Sequence, residues 1–398
     1  MILSEQHSIG DEKQKTGGER DYPPMKSTEV PPKLMPFLDL LRFVAAVLVM
    51  LNHLRVEQFA PFSEVHAGST VLKTVFFCAT RIGLESVLMF FVLSGFLVGG
   101  MSVERAMNGR FMPGKYFIDR FSRIYTPLAP ALAFDVAVCL CFGIGFSWLE
   151  AGVNLVSMQG VAGRAFSGNT ALWSLSYEVW FYILAGALLM LAGRQGRAAR
   201  VGPLLVVAAG FLVFLRLDPA YLFAWLIGVA CYFLGAPARP RIFWLTAVTL
   251  SAAGLVLMQV TSQSAQVELK AFSFVDRSFA VLIFALGLGL LVSAFAHLDP
   301  ASPMWQRITA WGTNASKFSY SLYLFHIPVI IVLLKLHLLQ RQTTLSLVTL
   351  CVYLAHAALI LVLSYLFYLA FEKRTPLVRD FLYRKLLPGP KPATAITL

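Results

Sequence analysis

The sequence predicts an all-α integral membrane protein of about ten transmembrane helices, with both termini cytoplasmic. Three observations carry that prediction. Of 398 residues, 58% are hydrophobic and only 14% charged; with a mean hydropathy of +0.70 the chain is too apolar for a soluble domain. Its apolar residues gather into runs close to the roughly 20 residues that a helix needs to cross a bilayer. The Lys and Arg residues are divided unevenly among the loops, 23 against 9 when the N-terminus is placed inside. The positive-inside rule then keeps both ends in the cytoplasm. The net charge of +12 therefore reads as topology, and with no soluble basic face nucleic acid is not an expected partner.

In chain order, residues 1–34 are polar, rich in Lys, Glu, Pro and Gly, and carry no apolar h-region. That composition predicts a disordered cytoplasmic tail rather than a signal peptide. The membrane domain follows over 35–376, and 377–398 form a basic cytoplasmic tail. Spans are predicted at 36–54, 83–101, 125–148, 171–192, 201–217, 221–236, 242–260, 278–297, 318–339 and 345–371. The fifth and sixth, parted only by a turn at Asp218-Pro219, are the weakest as full spans. The stretch FMPGKYFIDRFSR before the third interleaves aromatics with cations and suits a helix in the inner interface. The Gly-, Ser- and Ala-rich segment 150–169 is open to two readings, a re-entrant loop or a mobile one over a cavity. Five cysteines lie in or beside apolar runs with no C-x-x-C spacing, so neither a disulfide framework nor a metal site is expected.

The first span, PFLDLLRFVAAVLVMLNHLR, carries the most telling polar residues. An ionisable group at membrane depth is costly and marks a protein interior or a wet cavity. Arg42 and His53, eleven residues apart, project from one helix face about 16 Å apart along the axis. Arg42 can bind an anion. His53 can take a proton from a hydroxyl and pass it on. Asp39 lies one turn before Arg42; an Asp39–Arg42 ion pair with an interfacial histidine is the alternative reading.

Arg120 and Arg123 form an R-x-x-R pair on one helix face, able to grip a polyphosphate such as the nucleotide end of coenzyme A. They also fit the ordinary basic inner loop. In WSLSYEVWFY, Ser174, Tyr177 and Glu178 share a face one turn into the fourth span. With the N-terminus inside, Glu178 is expected at the depth of His53, where a carboxylate can orient an imidazole. In SYSLYLFHIP, Ser319, Tyr323 and His326 make a polar stripe, ended by Pro328, that lines a cavity or is satisfied by a neighbouring helix. In FFVLSGFLVGG the small residues read as close helix packing, and Glu85 is a weaker cavity candidate. No G-x-S-x-G, H-E-x-x-H or P-loop is present.

These motifs together, LDLLRFVAAVLVMLNH, FFVLSGFL, RFSRIY, LWSLSYEVWFY and SYSLYLFHIPV, resemble those of the membrane acyltransferase-3 family, bacterial O-acyltransferases of polysaccharides and related acceptors. The resemblance runs from Phe37 to Pro376 and departs from the family pattern at Phe43, where glycine is usual, and Phe325, where tryptophan is common. It implies acetyl-CoA or another acyl-CoA as donor, no metal, and a carbohydrate or glycolipid hydroxyl as acceptor, in the cytoplasmic membrane of a bacterium. It also implies that His53 is the essential histidine, as base or as acyl relay, with Arg42 its partner, and that Arg120 and Arg123 serve the donor. A secondary transporter or flippase for a charged metabolite is the rival reading; the absence of a visible internal repeat weighs against it.

Overall fold

The computed structural model describes residues 35–193, 196–261, 276–296 and 303–387; the predicted tail 1–34 and residues 388–398 lie outside them. Among the described residues seven helical stretches are long and apolar enough to cross a membrane: Met35–Gln58, Thr70–Met107, Pro113–Cys141, Thr170–Ala192, Pro240–Val260, Arg277–Phe295 and Leu347–Leu386. An eighth is made by Gln306–Ser316 and Ser319–Lys335 if that pair, bent by 56°, counts as one. The fifth and sixth predicted runs are the shorter helices Ala198–Phe214 and Pro219–Tyr232. Every predicted run overlaps a helix. The chain is an all-α membrane protein, and large side chains such as Phe211, Leu205 and Leu245 stand exposed on its outside, where lipid tails rather than water would receive them.

The elements run α1 (Met35–Gln58), β1 (His66–Ala67), α2 (Thr70–Thr80), α3 (Gly83–Ser94), a π-helical turn at Gly95–Gly100, α4 (Met101–Met107), α5 (Pro113–Cys141) and α6 (Trp148–Leu155). A 3-10 turn at Thr170–Leu172 leads into α7 (Trp173–Ala192), followed by α8 (Arg197–Phe214), α9 (Pro219–Tyr232), α10 (Pro240–Val260) and α11 (Arg277–Ala296). Then come α12 (Pro303–Ser316), α13 (Ser319–Lys335), β2 (Thr344–Leu345), α14 (Leu347–Ala370), a 3-10 turn at Glu372–Arg374 and α15 (Thr375–Leu386). Local chemistry sets many of the starts. The side chains of Ser69, Ser147, Asp218 and Ser346 accept from backbone N–H groups in the first turns of α2, α6, α9 and α14. Pro113, Pro219 and Pro240 each open a helix where a missing N–H costs nothing.

Helix α1 is central. It packs against α3, α12 and α13 and buries Ala45, Ala46, Val49, Met50 and Leu54. Beside it, the π turn crosses α9 at backbone contact. A Cβ on Gly95 would lie 2.0 Å from the Trp225 carbonyl oxygen, and one on Gly228 would lie 2.2 Å from that of Val92, so only glycine permits this crossing. The strands β1 and β2 pair in parallel, and Phe59 bridges Gln342, tying the end of α1 to the segment before α14.

One local expectation is corrected, and one segment proves to be ordered. The FMPGKYFIDRFSR stretch is not a separate interfacial helix but the first turns of α5, whose 29 residues extend about 43 Å, longer than a bilayer core is thick. The start of the predicted C-terminal tail is helical: α15 returns to α5, with the Tyr383 hydroxyl donating to Asp119 at 2.6 Å.

The 150–169 segment is re-entrant. Past the end of α5 the chain turns back beside it, and Ser157 hydrogen-bonds the Tyr125 hydroxyl at 3.2 Å. Tyr125 lies 16 residues, about 24 Å, from the Cys141 end of α5. On its return the chain is fixed by Asn169, whose amide donates to the Leu324 carbonyl at 2.8 Å and to Asp135 at 3.2 Å. That carbonyl is free because Pro328, four residues on, has no N–H to offer it.

Candidate functional site

The cavity at the Arg42 end of α1 is built from five helices. Arg42 comes from α1, Ser94 from α3, Arg120 and Arg123 from the first half of α5, Ser174, Glu178 and Tyr182 from α7, and Ser319, Tyr320 and Tyr323 from α13. Its volume is about 120 Å³. It shares Arg42, Val98, Arg120 and Arg123 with a second, outer cavity of about 570 Å³, also lined by Arg105, Arg110, Lys115 and Arg379. Among the described lining residues of this vestibule, seven cations face one carboxylate, Asp119. The vestibule falls in the range of roughly 300–1,000 Å³ typical of sites for sizeable ligands, whereas the inner cavity admits only a slender group.

Three guanidinium groups therefore converge where the two cavities join, and each is held differently. Arg42 reaches Asp39 at 3.4 Å, one turn back. Arg123 pairs at 2.6 Å with Glu372, whose side chain is 1% exposed while that of Arg123 is 46% exposed. Glu372 is saturated on its far side by the Ser321 N–H at 3.0 Å and the Ser321 hydroxyl at 2.5 Å. Arg120 lies over the Tyr182 ring at 5.6 Å, and its buried Nε has no hydrogen-bond partner among the described residues. Asp39 and Glu372 thus balance two of the three cations, and Arg120 is the one left with an unsatisfied N–H among the described residues.

Glu178 is the acid of this cavity. Its carboxylate accepts from the Tyr182 hydroxyl at 2.6 Å. With that proton committed, Ser94 donates to Tyr182 at 3.0 Å and the Trp225 indole donates to Ser94 at 3.2 Å. A directed chain from α9 through α3 to α7 thus orients the carboxylate. The expected pairing of Glu178 with His53 is not what forms: Glu178 sits among the arginines. The re-entrant segment is the reason, since it carries the chain inward before α7 begins. Ser174, one residue into α7, bonds Tyr323, only four residues into α13, at 2.6 Å.

His53 instead meets His326. The His326 Nε2 lies 3.1 Å from His53 Nδ1; His53 Nδ1 is also 3.0 Å from the Val49 carbonyl, and His326 Nδ1 is 3.0 Å from that of Leu322. His326 is fully buried. The pair lines neither cavity. Between it and the arginines stands Tyr323, one turn before His326 with ring centroids 6.0 Å apart. The Tyr323 hydroxyl donates to the Ala171 carbonyl at 2.6 Å and accepts from Ser174.

The remaining candidates are spread more widely. Ser319 lines the inner cavity and donates to Ser316. Asp39 lines neither cavity and serves Arg42. Tyr177 packs among Phe91, Trp173 and Tyr221 and accepts from the Asp218 N–H. Glu85 is buried and accepts from Gln259 at 2.5 Å, away from both cavities. Among the described residues no cluster of three or more His, Cys, Asp or Glu could hold a metal ion.

Sequence reasoning missed Tyr182, Tyr320, Glu372 and Arg379. Tyr182 was within reach, four residues after Glu178 and so on the same face. Glu372 is 249 residues from Arg123, and its only sequence signal is an acid left at the mouth of an apolar run.

A family model described as an acyltransferase domain, acyltransferase-3, matches residues 35–369, from the first turn of α1 to the end of α14. No curated protein and no solved structure matches the chain. That match covers most of the sequence and all of the elements that build the arginine cavity except α15 and the turn carrying Glu372, and the chain accordingly belongs to the acyltransferase-3 family as a multi-pass membrane acyltransferase.

Proposed function

We propose that this protein moves an acyl group, most simply acetyl, from cytoplasmic acyl-CoA to a hydroxyl of a carbohydrate or glycolipid, in the cytoplasmic membrane of a bacterium, with His53 as base. The observation that carries the reading is the convergence of Arg42, Arg120 and Arg123 on a narrow cavity that opens into a basic vestibule. Coenzyme A joins a phosphate-rich nucleotide to a thin pantetheine arm. The vestibule suits the first and the inner cavity the second, and guanidinium groups are the side chains best matched to phosphate oxygens. With both termini cytoplasmic, this mouth faces the compartment where coenzyme A is made.

The pantetheine arm is comparable to an extended five-residue peptide, about 17 Å at 3.4 Å per residue. Arg42 and His53 are separated by about 16 Å along α1, so a donor anchored at the arginines reaches the histidine with its thioester. Tyr323 stands in the way, and the arm must displace its hydroxyl from Ala171 and Ser174. Beyond it, His53 takes the proton of the acceptor hydroxyl as the oxygen attacks the thioester carbonyl. The C–S bond breaks, and His53 returns the proton to the departing thiolate.

The test is His53→Ala and His53→Gln in purified, detergent-solubilised protein, assayed for release of free coenzyme A from acetyl-CoA in the presence of saccharide acceptors. Turnover falls at least about a hundredfold while elution on gel filtration and coenzyme A binding persist. Wild-type turnover in either variant overturns the role of His53.

A further inference from the structure

We infer that His326 is the hydrogen-bond acceptor of the His53 Nδ1–H, a positioning residue that leaves His53 Nε2 as the nitrogen available to substrate. The inference deepens the proposed function and rests on His53 being its base.

The assignment follows from what each neighbour can accept. A carbonyl oxygen only accepts, so the Leu322 carbonyl at 3.0 Å places a hydrogen on His326 Nδ1. The Val49 carbonyl at 3.0 Å likewise places one on His53 Nδ1. Two hydrogens cannot point at each other across the 3.1 Å between His53 Nδ1 and His326 Nε2, so His326 Nε2 is bare and accepts. Both rings are then neutral and share one tautomer. Each is folded back on the carbonyl four residues earlier on its own helix, and the single His53 Nδ1–H is shared between the Val49 carbonyl and His326 Nε2, the second contact joining the two helices. Among the described residues none hydrogen-bonds His53 Nε2, and no carboxylate hydrogen-bonds either ring.

The consequence is chemical. In a hydrolytic triad a carboxylate holds the imidazole in its tautomer; here the acceptor is a second, uncharged imidazole on α13. When the acceptor hydroxyl gives its proton to His53 Nε2, the ring becomes a cation whose other N–H already has its partner in place. No ring rotation is required when the same proton passes to the thiolate. Pro328 contributes indirectly: by freeing the Leu324 carbonyl for Asn169 it anchors this part of α13 to the re-entrant segment.

The test uses the full chain labelled with ¹⁵N at histidine. The wild-type protein is expected to show a scalar coupling between His53 Nδ1 and His326 Nε2 across the N–H···N bond, and a bare His53 Nε2. His326→Gln, whose amide oxygen can accept the same hydrogen, is expected to retain turnover within about tenfold. His326→Leu fills the space without an acceptor and is expected to lower kcat about a hundredfold with little change in donor KM. A wild-type spectrum without the coupling, or with the hydrogen on His53 Nε2, overturns the inference even if the Leu variant fails to fold. So does unaltered kcat in His326→Leu. A coupling found together with an active His53→Ala enzyme leaves the pairing standing and removes His53 as base, so the two failures are told apart.

Discussion

Replacing Arg120 with alanine tests the donor site with the least confusion. Its neighbours Arg42 and Arg123 each hold an acid, Asp39 at 3.4 Å and Glu372 at 2.6 Å, so truncating either strands a carboxylate as well as removing a cation. Arg120 has no acid partner among the described residues: its guanidinium rests on the Tyr182 ring, and its Nε is orphaned. A hydrogen bond to a charged group is worth about 1.5–3 kcal/mol. The loss of one phosphate contact therefore weakens coenzyme A binding by roughly 10- to 150-fold at about 1.4 kcal/mol per tenfold. Calorimetric titration of coenzyme A into purified wild-type and Arg120→Ala protein measures this, and repetition in higher salt should narrow the gap as the arginine's field is screened. Arg120→Lys should recover only part of the affinity, since an ammonium keeps the charge but loses the planar fork. A change of less than about threefold in Arg120→Ala would remove the arginine cavity as the donor site.

Three further outcomes follow from particular contacts. Glu372→Gln removes the charge that neutralises Arg123 and one acceptor for Ser321; a drop in stability of about 3 kcal/mol is expected, read as a lower midpoint of thermal unfolding in detergent. Gly95→Leu drives a side chain into the Trp225 carbonyl and should cost about 3 kcal/mol or abolish folding, whereas Gly109→Ala, with nothing within 4 Å of its Cβ position, should cost about 1 kcal/mol through its positive φ alone. Tyr323→Phe deletes the hydroxyl that bonds Ala171 and Ser174; the partition between arginines and histidines loosens, and acceptor-independent release of coenzyme A by water should rise several-fold.

How far the sequence revealed this architecture depends on whether a feature is local. Arg42 and Asp39, one turn apart, and the R-x-x-R pair were legible because helical geometry alone places such residues together. The close approach at Gly95 was legible from small residues at helical spacing, although the π turn that carries them was not. Both histidines stood out as polar residues in apolar runs, but their contact joins positions 273 apart and no periodicity can announce it. Glu178 was expected beside His53 because its span was assumed to begin at the membrane surface. The re-entrant segment moved it: Ser157 and Asn169 spend their polar groups on Tyr125, Asp135 and Leu324, and composition could not distinguish that from a loop lying outside. Glu372 was invisible for the same reason as the histidine pairing, its partner lying on another helix far along the chain.

The central claim is tested most directly by supplying acetyl-CoA labelled in the acetyl group to vesicles that hold the purified protein in one orientation. With donor on the side of the termini and saccharide acceptor on the other, label should appear covalently on the acceptor, with one free coenzyme A released per acetyl moved. Label that crosses the membrane while coenzyme A stays acylated, or an acceptor that gains no ester, would contradict the account and leave a transporter in its place.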